Sequence, residues 1–260
     1  MSSFVWWRDI QEAYENPYEY EAQNQFSREA KKLLELIFDF LLNLPFEFTR
    51  DDRSSEKAIW MLSIDTVDSL RDCLKLIDNK EHRLASRLFR DVVETMDLAS
   101  FFSSDDEKKQ KHLNDWYDNK VIPNRIFREY VEKTHNKQLA DAYNSFYRHL
   151  SKLNHRTYRS LAYSYTLGRG ERMVYEGKSP GDLLVPVQSI SMYYAMLAEL
   201  ISIFSDRLIE FGLFDSQTNI EFWNRALEKN TVSRRFATIE DIFLQRFKNA
   251  KVNQEVDDIT

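Results

Sequence analysis

Residues 141–159 read DAYNSFYRHLSKLNHRTYR. At about 100° per residue this run is an amphipathic helix. With Arg148 at zero, Asp141, Asn144, Ser151, Lys152, His155 and Arg159 all fall within about 60° of it. Ala142, Tyr143, Phe146, Tyr147, Leu150 and Leu153 fall on the other side. One face is suited to a core. The other carries a cation, a hydroxyl and an imidazole in register. Two helical turns separate Arg148 from His155, so their side chains leave the helix on one side. The spacing predicts a helix over 136–159, with a break near Asn154.

The neighbouring segments repeat the same period. Over 18–43, Phe26, Ala30, Leu33, Leu34, Ile37, Phe38, Leu41 and Leu42 recur at steps of three and four, and Pro45 ends the run. Ser54 or Ser55 caps a helix over 55–77, whose apolar side includes Ile59, Leu62, Val67, Leu70, Leu74 and Ile77. Asp78, Asn79 and Lys80 make a turn into a helix over 81–102. That helix is apolar around much of its circumference and belongs at the centre of a bundle. Its polar stripe, Arg83, Arg87, Arg90, Glu94 and Asp97, then needs partners within itself or on a neighbour. Ser104, ahead of Asp105, Asp106 and Glu107, predicts a capped helix start. Pro123 opens a short helix to about Thr134.

Further out, a short helix is expected over 3–15, docked on the body through Phe4, Val5, Trp6 and Trp7. A long one follows over 187–212, ended by Gly212. Shorter ones are expected over 217–228 and 238–249, then a disordered tail over 251–260. Four of the five glycines (Gly168, Gly170, Gly177, Gly181) and two of the five prolines (Pro180, Pro186) fall in 168–186. That concentration predicts a glycine-rich loop or small hairpin, with a short strand at Met173–Tyr175. The fold class is all-α: one helical bundle over 1–250 with a single excursion near 168–186.

Composition agrees. Gly and Pro number only 5 each, and 18 Phe, 13 Tyr and 5 Trp can fill a large interior. The net charge of −6 speaks against non-specific coating of duplex nucleic acid, while leaving room for a local basic stripe. The single cysteine, Cys73, permits no internal disulfide and fits a reducing cytosol. It sits among Leu70, Leu74 and Ile77 and reads as a small buried hydrophobe. The first residues lack the order of a signal peptide. The longest apolar stretch, Ile190 to Phe204, is too short and contains Glu199, so no membrane span is expected. The chain reads as soluble and cytoplasmic.

Chemistry narrows to few residues. The histidines are His82, His112, His135, His149 and His155. They form no HExxH pair, and the sequence lacks the paired Glu-x-x-His runs of a diiron bundle, so neither metal nor cofactor is expected. No GxSxG elbow is present. Gly168-Arg169-Gly170 lacks the third glycine and the preceding strand of a phosphate loop. Arg148 and His155 remain as the candidate pair.

Tyr147-Arg148-His149-Leu150-Ser151 followed by His155 resembles the R-x4-6-H signature of HEPN-domain proteins. There an arginine and a polar residue precede a histidine by two helical turns. The Arg87–Glu94 run, RLFRDVVE, is similar to a helix of uncharacterised bacterial HEPN-like families. The resemblance covers about 80–160. It implies a helical bundle that pairs two motifs across a homodimer. It also implies a metal-independent endoribonuclease of the toxin-antitoxin or antiviral-defence kind, with RNA and a protein partner or antitoxin as partners. Arg148, His155 and His149 are then the catalytic candidates, with His149 the weaker because it lies 100° round the helix. Ser151, Lys152, Asn154 and Arg159 become candidates for binding substrate.

The chemistry is coherent. Histidine supplies an acid or base near neutral pH, and arginine supplies a fork against phosphorane charge. The other reading is a non-catalytic helical scaffold or partner-binding protein. In it Arg148 pairs with Glu94 or Asp97, and His155 caps the helix or bonds a carbonyl.

Overall fold

The computed structural model describes residues 18–79, 81–134, 137–162, 165–167, 173–175 and 190–226. The helices expected over 3–15 and 238–249, the docking residues Phe4 to Trp7 and the tail 251–260 lie outside them. So do the four clustered glycines.

The described chain is all-α apart from one small hairpin. The helices are α1 (Tyr18–Leu42), α2 (Ser55–Asp78), α3 (His82–Ser103), α4 (Lys109–Tyr117), α5 (Asn124–Thr134), α6 (Lys137–Asn154), α7 (Tyr158–Ala162), α8 (Ile190–Glu210) and α9 (Ser216–Ala226). Between α7 and α8, β1 (Tyr165–Leu167) pairs antiparallel with β2 (Met173–Tyr175), Tyr165 opposite Tyr175. The short strand expected at Met173–Tyr175 is therefore present.

Local chemistry accounts for several boundaries. Ser54 caps α2: its Oγ accepts the Lys57 amide at 3.2 Å. The Lys57 ammonium donates back to the carbonyls of Thr49, Arg50 and Asp52, which fixes the preceding loop. Between α2 and α3 the Glu81 amide bonds the Leu76 carbonyl at 2.7 Å. Ser104 behaves differently from the expectation. It ends α3 instead of starting a helix: its hydroxyl donates to the Phe101 carbonyl at 2.7 Å and accepts the Asp106 amide at 3.2 Å. Both bonds form a turn, and α4 begins five residues later.

The centre is α3, which packs on α2 along its length and also meets α4, α5, α6 and α8. The larger core joins Leu33, Ile37 and Leu41 of α1 with Leu70 and Leu74 of α2, Phe89 and Met96 of α3, Phe146 and Leu150 of α6, and Leu200 and Phe204 of α8. Cys73 is buried in it, and burial pushes its thiol far above the usual range, leaving it un-ionised. A second cluster gathers Ile59, Phe101, Phe102, Leu113 and Phe127 where α2, α3, α4 and α5 meet. Asp78 pins three helices: Ser27 of α1 and Tyr194 of α8 both donate to its carboxylate at 2.7 Å. Among the described residues no helix is long and apolar enough to cross a membrane.

Helix α8 ends as expected at Gly212, whose φ of 72° is left-handed. The Gly212 amide bonds Ile209 O at 2.9 Å and the Leu213 amide bonds Leu208 O at 3.0 Å, a Schellman pairing. A Cβ here would meet no atom within 4 Å. Gly212→Ala should therefore lower stability only through backbone strain, by about 1–2 kcal/mol. Urea unfolding checks this; an unchanged midpoint would mean that the turn relaxes.

Candidate functional site

Helix α6 carries the row that singled out Arg148. Arg148 is exposed, and its Nε donates to the Asn144 carbonyl one turn back at 3.3 Å. Lys152 is exposed on the same side, while His149, Ser151 and Asn154 are half-buried. The helix ends at Asn154, whose side-chain amide donates to Leu150 O at 3.2 Å. The His155 amide then bonds Lys152 O at 3.2 Å, a tightened last turn.

The break expected near Asn154 is thus present, and the helix does not run on to 159. Thr157 starts α7 instead. Its Oγ1 accepts the Ser160 amide at 3.3 Å, and the Ser160 hydroxyl donates to the His155 carbonyl. His155 is exposed and lies one residue past the end of α6, so regular helical stepping no longer sets its bearing on Arg148. The side chain of Arg159 lies outside the described residues.

The stripe on α3 finds its partners elsewhere. Arg90 Nε donates to Glu94 Oε1 at 2.7 Å within the helix, and the Tyr147 hydroxyl donates to the same oxygen at 2.6 Å. Asp97 is fully buried. It accepts Arg128 Nη1 of α5 at 3.0 Å and the Tyr143 hydroxyl at 2.7 Å. Arg128 Nη2 donates to Asn144 Oδ1 at 2.5 Å, and its guanidinium lies 3.9 Å from the centre of the Tyr147 ring. Arg87 is half-buried and joins none of these contacts.

The pairing of Arg148 with Glu94 or Asp97 is therefore corrected. Tyr143 and Tyr147 stand one turn apart and point toward α3, whereas Arg148 lies about 100° round the helix from Tyr147. An arginine on α5 reaches Asp97 instead.

Burial pushes the Asp97 carboxyl up to about 6, although the Arg128 charge and the Tyr143 hydroxyl oppose it. Burial also raises the Tyr143 hydroxyl well above its ordinary range, and the neighbouring Asp97 charge adds to this. The network is directed inward. It locks α6 against α3 and α5, and so leaves the Arg148 side facing out.

Sequence reasoning assigned no role to Arg128. Its signal was present but weak: it lies beside Phe127 and three residues before Val131, on the side of α5 that is buried.

Among the described residues no group of three or more His, Cys, Asp or Glu side chains is gathered as a metal site requires. Comparisons with protein-family models, with curated proteins and with solved structures gave no match.

Proposed function

We propose that this chain is a HEPN-like endoribonuclease that cuts RNA without a divalent metal, through Arg148 and His155. The observation that carries the reading is the exposure of Arg148, Lys152 and His155, while Glu94 and Asp97 of α3 are engaged by Tyr147 and Arg128. Among the described residues none of the three is held by an ion pair.

In this reaction the 2′-hydroxyl attacks the adjacent phosphorus. The imidazole of His155 takes the hydroxyl proton as the 2′-oxygen–phosphorus bond forms. The bond from phosphorus to the 5′-oxygen breaks, and that oxygen receives a proton from imidazolium. The products are a 2′,3′-cyclic phosphate and a 5′-hydroxyl. Arg148 opposes the charge that builds on the phosphorane oxygens. Lys152, Ser151, Asn154 and Arg159 bind or orient the phosphate, and His149 is the secondary acid or base.

Cleavage of RNA in EDTA by the wild type, lost in Arg148→Ala and His155→Ala, tests this reading. Inert wild-type protein overturns it. The family pattern also implies that two motifs meet across a two-fold axis. The protein should then be a homodimer at micromolar concentration; a monomer mass by light scattering across that range rejects the shared cleft.

One observation favours the second reading, a non-catalytic helical scaffold that binds a partner such as an antitoxin. His155 lies beyond the end of α6, so the two-turn register with Arg148 is not fixed by the helix.

A further inference from the structure

The segment 142–170 contains five Arg and Lys and no Asp or Glu, in a chain whose net charge is −6. Its cations Lys152 and Arg156 are exposed, and among the described residues neither meets a carboxylate. Aromatic rings turned to solvent follow them in the chain. Tyr158, two residues after Arg156, is 80% exposed, and Tyr165 and Tyr175 are 40% and 54% exposed. The last two face each other across the hairpin with ring centres 5.8 Å apart, edge to face. Tyr165 follows Ala162 by three residues, so the chain holds it within about 11 Å of the end of α7.

A tyrosine that serves a fold buries its ring and wets only its hydroxyl. Tyr158 leaves most of its side chain in solvent. An exposed ring close in the chain to exposed cations matches the two needs of an unpaired nucleic-acid strand: a face for a base to stack on, and positive charge for the phosphates between bases. A duplex offers phosphates but keeps its bases stacked on one another, so it can use only half of this surface. The acid-free segment attracts such a strand while the rest of the chain, net acidic, repels it.

We infer that Tyr158, two residues after the exposed Arg156 and in the same acid-free segment as Lys152, forms a base-stacking platform for unpaired RNA, with the Tyr165–Tyr175 pair as a further stacking surface. This rests on the RNA reading proposed above. The rings contribute little to the core, so they can be changed without unfolding the protein.

The test is fluorescence anisotropy with labelled 2′-O-methyl oligouridine, which lacks the attacking hydroxyl and stays intact, against its duplex with oligoadenosine. The single strand should bind on the order of tenfold more tightly than the duplex. Tyr158→Leu, and separately Tyr165→Leu with Tyr175→Leu, should each weaken it roughly fivefold to a hundredfold. Tyr158→Phe should retain the affinity, and melting temperatures should not move.

Equal affinity for strand and duplex, or affinity unmoved by the leucine variants, overturns the platform even if the wild type cuts RNA. Loss of dimer mass in these variants with unchanged affinity also overturns it, and assigns this face to a second copy. Strand binding as expected in a wild type that cuts nothing supports the platform and rejects only the catalytic reading.

Discussion

His155→Ala should lower metal-free RNA cleavage on the order of a hundredfold or more. The proposed reaction needs a group that accepts and returns a proton near neutral pH, and water replaces it poorly. Arg148→Ala should lower the rate by a similar factor through lost stabilisation of the phosphorane charge. The double variant should lose far less than the product of the two factors, because both groups serve one transition state. Neither change should lower the melting temperature. Both side chains are exposed, and the Arg148 bond to the Asn144 carbonyl lies within one helix. Rates in EDTA and melting curves on the same proteins decide the matter. Wild type inert on varied RNAs rejects catalysis. Clear destabilisation of both variants would instead assign the two residues to the scaffold.

Arg128→Ala should be among the most destabilising changes on the polar side of the bundle, by about 3–5 kcal/mol. It leaves Asp97 buried without its cation, and Asn144 without its donor. It also removes the guanidinium stacked on Tyr147. Replacing both members together, Asp97→Leu with Arg128→Met, should recover much of the loss, because the desolvated charge is gone. A double variant as unstable as Arg128→Ala would count against that account.

The same pair makes stability depend on pH. Burial raises the Asp97 carboxyl from an ordinary 3.8 to about 6, so the folded protein holds this proton more tightly than the unfolded chain. Its contribution is fully present below about pH 4 and is lost as pH rises through about 6, a change of about 3 kcal/mol. Asp97→Asn cannot titrate there. Urea midpoints should show the wild type falling relative to this variant between about pH 4 and about pH 7. Parallel curves would rule out Asp97 as the titrating group.

Periodicity and caps made much of this fold legible from the sequence. The three- and four-residue steps of Leu33, Leu34, Ile37 and Leu41 locate α1. The apolar girth of α3 places it at the centre, and Ser54 marks the start of α2. These are local properties: whether a residue can enter a core, or cap a turn, is decided within a few neighbours. The need of the α3 stripe for partners was equally legible, since carboxylates on an apolar helix must be answered.

Which residues answer was not. Asp97 lies 31 residues from Arg128 and 46 from Tyr143, and ion pairs and hydrogen bonds across helices leave no period in the chain. They follow from the way α5 and α6 are laid on α3. The end of α6 was a close contest as well. Arg148 and His155 share a face on an unbroken helix, but the side chains of Asn154 and Thr157 offer the backbone competing bonds worth only about 1 kcal/mol each. A difference that small is decided by what the neighbouring helices bury, so the orientation of His155 is set by the tertiary structure and not by the seven-residue spacing.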